Sequence, residues 1–167
     1  MGHYAQLLST YRRKGILVDT GLLLLLFVGL CDRRRVESFK RTKMFTESDF
    51  ELLQRVLSQF DLLVTTPNIL TEVSNLLGQL PDNLRGQYYA SFAAALDALV
   101  DEHYIPSKRL VLQSRFPRLG LTDTGIIEQA RDRHLVLTCD LPLYNHLCDQ
   151  GVDVINFNHI REDNLFC

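Results

Sequence analysis

The sequence predicts an α/β fold: a parallel β-sheet flanked by helices on both faces, in a single domain over residues 1–167. Three observations predict it. Short apolar runs alternate with longer helical patterns, the signature of strands joined by crossover helices. Acidic residues recur just after the apolar runs. A chain of 167 residues has room for one full core and not for two.

Taken in order, Gly15-Ile-Leu-Val18 is a short apolar strand that ends at Asp19. Gly21 to Leu30 follows as a Leu-rich buried helix. Thr46 is placed to cap a helix over Glu47 to Gln59, which carries acids in its first turn. Asp61 to Thr65 reads as a second strand. Thr66-Pro67 places a cap and then a proline at the first helical position, and that helix stops near Pro81. Leu84 to Glu102 reads as one long Ala-rich helix, with Phe92, Ala95, Leu96 and Leu99 spaced to face the core. Thr122 or Asp123 caps a helix through Ile126, Ile127 and Ala130. His134 to Thr138 is a third strand, Pro142 to Gln150 a short helix, and Val152 to Phe157 a fourth strand.

A hydrophobic fraction of 46% with 23% charged residues excludes a disordered chain. Net charge is -2, but it is unevenly spread: nine Lys/Arg against three acids up to Lys43, and nine against seventeen beyond it. The basic cluster Arg33, Arg34, Arg35, Lys40, Arg41 and Lys43 is a candidate for holding phosphates, or alternatively a solvated face. The apolar run Leu22 to Leu30 is shorter than the roughly 20 residues a membrane span needs. Met1 to Lys14 has no apolar segment of the signal-peptide kind. The cysteines Cys31, Cys139, Cys148 and Cys167 lack C-x-x-C spacing, so zinc and dithiol chemistry are not indicated. Reduced thiols, a cytoplasmic location and no membrane partner are the expectation.

In parallel sheets the functional crevice lies at the carboxyl ends of the strands. Asp19 and Asp140 each follow a strand, and Asp123 stands at a loop-to-helix junction. Glu72 lies within or beside the apolar stripe Ile69, Val73, Leu76 and Leu80, where a carboxylate is costly unless paired or bound to a metal. Capping alone accounts for one such acid, not for all of them. Clustered carboxylates offer the hard oxygen ligands that Mg²⁺ and Mn²⁺ prefer, and such an ion assists phosphodiester hydrolysis.

These residues fall in four segments: Ile16-Leu-Val-Asp19-Thr-Gly, Pro67-Asn-Ile-Leu-Thr-Glu72-Val, Leu121-Thr-Asp123-Thr-Gly-Ile-Ile-Glu-Gln-Ala130, and Leu135-Val-Leu-Thr138-Cys-Asp140. In this order the chain resembles the PIN-domain nucleases over nearly its whole length. The resemblance implies a Rossmann-like parallel sheet and an endoribonuclease that uses Mg²⁺ or Mn²⁺ held by Asp19, Asp123, Asp140 and Glu72. It further implies an RNA substrate and, for many members, a homodimeric toxin paired with an antitoxin protein. Thr20, Thr138 and Thr124 match positions where the family keeps small polar residues near the metal. The chain departs from the family after Asp140, where only Asn145 or His146 stands in place of a second acid. It also departs in the long stretch Asp82 to Arg118, which holds Tyr88, Tyr89, Phe92 and several basic residues and either contacts RNA or covers the core.

Two other readings are weighed against this one. A PIN-like RNA-binding or protein-interaction module without catalysis would have lost one or more of the four acids, and all are present. The triplets Asp19-Thr20-Gly21 and Asp123-Thr124-Gly125 also match the paired signature of an aspartic protease. That fold is almost entirely β, whereas both triplets here lead into helical sequence.

Overall fold

The computed structural model describes residues 2–131 and 133–163. The chain runs α1 (Gly2–Tyr11), β1 (Ile16–Val18), α2 (Thr20–Cys31), α3 (Arg35–Ser38), α4 (Glu47–Leu57), β2 (Leu63–Thr65) and α5 (Pro67–Leu77). It continues through α6 (Asp82–Leu99), β3 (Val100–Glu102), α7 (Ser107–Leu110), α8 (Phe116–Ala130), β4 (Leu135–Thr138), α9 (Leu141–Asp149), β5 (Val154–Asn156) and α10 (Phe157–Asp163). The α/β reading holds. The strands form one sheet in the order β3-β2-β1-β4-β5, and every neighbouring pair is parallel. The β-rich architecture required by an aspartic protease is absent from the described residues.

The strand order explains where a site can form. From β1 the chain steps outward to β2 and β3, then returns to the other side of β1 for β4 and β5. Right-handed crossovers on either side of that reversal put the connecting helices on opposite faces. The crevice between β1 and β4 is the switch point, and it opens at the carboxyl ends of those strands.

Helix α2 anchors the core. Its Leu-rich sequence is apolar on every side, and every residue from Leu22 to Gly29 is buried. A helix apolar all round needs cover all round; α4, α5 and α6 pack against it, as does β4. At Gly29 the cover is so close that an added Cβ would collide with the Phe50 ring. Phe92 of α6 meets Phe27 of α2 edge to face, with ring centroids 4.9 Å apart, so the stretch from Asp82 serves in part as core cover.

Three expectations are corrected. The Ala-rich helix ends at Leu99, and Val100–Glu102 forms a fifth strand on β2, with Leu63 opposite Val100. Pairing with the edge of β2 outweighs the helix propensity of Glu102, and β-branched Val100 and the weak helix former Asp101 favour the change. Leu99 is half exposed rather than in the core. The helix expected to start at Thr122 or Asp123 is α8, which begins at Phe116 and is broken at Gly120, whose φ of 76° is a left-handed conformation that favours glycine. The amino-terminal segment, read only as polar and basic, forms α1 with Leu7 and Tyr11 buried. Among the described residues no helix is long and apolar enough to cross a membrane. Cys31, Cys139 and Cys148 are free thiols, and Cys167 lies outside the described residues.

Candidate functional site

Local chemistry positions each acid. Asp19 leaves β1 and caps α2, with its Oδ1 accepting from the Leu22 amide at 3.2 Å. Asp140 leaves β4 and caps α9 in the same way, accepting from the Leu143 amide at 2.8 Å. The partial positive charge of a helix amino terminus favours a carboxylate at both places. Glu72 lies on α5, and Asp123 follows the Gly120 break in α8.

Threonines hold three of the four, Asp19, Asp140 and Glu72. The Thr138 hydroxyl donates to Asp19 Oδ2 and accepts from the Asp140 amide at 2.9 Å, so one side chain spans both strand ends. Glu72 accepts from Thr20 at 2.9 Å and from Thr122, which brings α5 against the starts of α2 and α8. Glu72 itself is exposed at the rim rather than beside the buried face. Thr20 and Thr138 thus stand at the carboxylates. Thr124 is wholly buried and its hydroxyl has no hydrogen-bond partner among the described residues, so it does not join this network.

Electrostatics show that the acids act on one another. Burial raises the Asp123 pKa, as do the nearby charges of Asp140, Asp19 and Glu72, from an ordinary 3.8 to about 6. Burial is also the largest cause raising Asp19, with Asp140 adding to it and the Thr138 and Leu22 hydrogen bonds opposing it. Partial burial, with the charges of Asp19 and Asp140 adding to it, pushes the half-buried Cys139 thiol up to about 12, so it is unreactive. Among the described residues no lysine, arginine or histidine forms an ion pair with any of the four acids.

The chain matches no protein-family model and no curated protein. The site therefore stands on its own geometry.

The donor set is chemically suited to a hard divalent cation: four carboxylates and no protein cation to neutralise them. The side chains do not form a ready cage, because among the described residues no three His, Cys, Asp or Glu groups are arranged to hold an ion. The hydrogen bonds explain why. Glu72 is turned onto Thr20 and Thr122, and Asp19 onto Thr138.

The basic cluster is elsewhere. Its Arg33-Arg34-Arg35 part follows the far end of α2, about 18 Å from Asp19 at 1.5 Å per residue. There Arg33 pairs with Glu51 and lies over the Phe50 ring, and Arg41 donates to Gln79. Arg34, Lys40 and Lys43 are exposed, and Arg35 is half-buried.

Sequence reasoning missed three polar groups at the site edge. Thr122 was read only as a cap. Thr65 ends β2 with a buried hydroxyl that has no partner among the described residues. Asn156 ends β5, buried, opposite Thr138. The available signal was a polar residue closing an apolar run, the same signal that found Asp19.

Proposed function

We propose that the chain is a metal-dependent endoribonuclease of the PIN-domain type, hydrolysing RNA phosphodiester bonds at the carboxyl edge of its sheet. The observation that carries this reading is Asp123. Its carboxylate has no hydrogen bond and no cation among the described residues, and burial, with the charges of Asp140, Asp19 and Glu72 adding to it, raises its pKa to about 6. Fold stability gives no reason for such a cluster, because like charges at close range oppose folding. A divalent cation removes the cost.

Asp19, Asp123 and Asp140 would hold Mg²⁺ or Mn²⁺, with Glu72 joining directly or through water. Once bound, the ion supplies a Lewis acid that activates water and offsets charge on the phosphate. The chain's own residues do the rest. Thr138 fixes Asp19 and Asp140 relative to each other. Thr20 and Thr122 hold Glu72 at the rim, where it orients water at the scissile phosphate. Helices α2 and α9 present their positive ends to the same crevice. Arg33 and Arg34 stand just past the end of α2, about 18 Å from Asp19 along that helix, and can reach only flanking nucleotides.

The test is cleavage of mixed single-stranded RNAs in Mn²⁺, with a chelator and Asp19→Asn as controls. Cleavage should require the metal and vanish in the variant. Cleavage that persists in either control would overturn the reading.

A further inference from the structure

Next to Glu72 and Asp123 the surface opens into a groove of about 680 Å³ between α5 and the start of α8. Its walls include Asn68, Thr71, Phe116 and Leu119, and the acids Glu72 and Asp123 lie at its end. Three features of the lining bear on what it holds. No lysine or arginine lines it, so it is not built for phosphate. Phe116 is a half-exposed ring with no aromatic partner among the described residues, whereas Phe92 is spent on Phe27. The Asn68 amide has no hydrogen-bond partner among the described residues, so both its donor and its acceptor are unspent. Gly120 adds room: the helix break faces open space, and an added Cβ would meet nothing within 4 Å.

We infer that this groove is a nucleobase subsite, in which an unpaired base flanking the scissile phosphate stacks on Phe116 and is read at its edge by Asn68. The inference rests on the ribonuclease reading for its ligand. A groove of this size is in the range of small-ligand sites. An aromatic face and an unspent amide are the two devices that recognise a splayed-out base. A phosphate directed to the acid edge would leave its neighbouring base over the uncharged groove. A paired base offers neither a free face nor a free edge, so the subsite selects single strands.

The experiment measures binding of a fluorescent single-stranded RNA decamer, with Ca²⁺ supplied as a hard cation. The proteins are wild type, Phe116→Leu, Phe116→Trp and Asn68→Ala, with melting temperature as a check on folding. Phe116→Leu keeps apolar volume without a stacking face and should weaken binding about tenfold. Phe116→Trp should restore it. Asn68→Ala should flatten any preference among A, G, C and U oligomers. Equal binding by wild type and Phe116→Leu, no RNA binding at all, or equal binding of a blunt duplex would each overturn the subsite. Cleavage in Mn²⁺, scored separately, distinguishes the two claims. RNA that binds through Phe116 without being cut leaves the subsite standing and removes the nuclease. RNA cut equally well by the Phe116→Leu protein does the reverse.

Discussion

Asp19 and Asp49 are almost equally buried, 6% and 7% exposed, and each stands at a helix amino terminus. Their surroundings are opposite. Asp49 accepts from Nε and Nη2 of the Arg161 guanidinium, at 2.8 and 2.9 Å, and from the Thr46 amide in a capping box. Asp19 receives the Leu22 amide and the Thr138 hydroxyl, faces Asp140, and among the described residues has no ion pair. A buried charge with a bidentate partner ties elements together, here α10 to α4. A buried charge among other acids opposes folding, a cost that the proposed cation would offset. Burial alone does not separate structural from functional acids; the sign of the neighbours does.

The largest expected effect comes from neutralising each aspartate in turn. Asp19→Asn should cut RNA cleavage by about 10²- to 10³-fold, the scale of losing one precisely placed electrostatic group, and leave stability level or slightly higher. Asp49→Asn should leave a strongly reduced but still folded protein: it strands Arg161 and costs about 2–4 kcal/mol. That corresponds to a melting temperature lower by about 4–16 °C. Thermal melts and cleavage rates on both variants decide the comparison, and interchanged outcomes would refute it.

A smaller effect belongs to the threonine that spans the two strand ends. Thr138→Val removes a donor from Asp19 and an acceptor from the Asp140 amide. Stability should fall by about 1–2 kcal/mol, and activity should fall further than stability alone explains. Activity unchanged at a temperature where the variant is fully folded would show that the bridge does not position the acids.

The smallest effect is a pH dependence. With its pKa raised to about 6, Asp123 keeps its proton in the folded protein through a window in which the unfolded chain, at an ordinary 3.8, has lost it. Its contribution to stability therefore falls as pH rises from about 4 to 6 and is level above. Cation binding must displace that proton, so Mn²⁺ affinity should climb with pH up to about 6 and then flatten. Calorimetric titrations at several pH values check this; a flat profile across the window would place Asp123 outside the cation site.

Much of this was legible in the sequence because apolar runs end abruptly at polar residues. Asp19 and Asp140 were found that way, and the parallel sheet followed from the alternation. Other features depend on contacts between distant segments. Val100–Glu102 is short, polar and fused to an Ala-rich helix, so only pairing with β2 reveals it as a strand. Spacing does not tell which carboxylate Thr122 or Thr138 will meet. The groove beside Phe116 exists because α8 breaks at Gly120 where it meets α5, and a lone glycine in a helical pattern does not announce its φ. Glu72 was singled out for a buried position that it does not have; its place comes instead from Thr20 and Thr122.

The claim that repulsion at the acid edge is relieved by a divalent cation is tested most directly by melting wild type and Asp19→Asn with and without millimolar Mn²⁺. Saturation at about a hundred times Kd adds about 2.7 kcal/mol, or roughly 5–10 °C for a chain of this size. Wild type should rise by that amount. The variant, with less repulsion to relieve and one ligand fewer, should start level or higher and rise little. The same rise in both proteins, or none in wild type, would contradict the account.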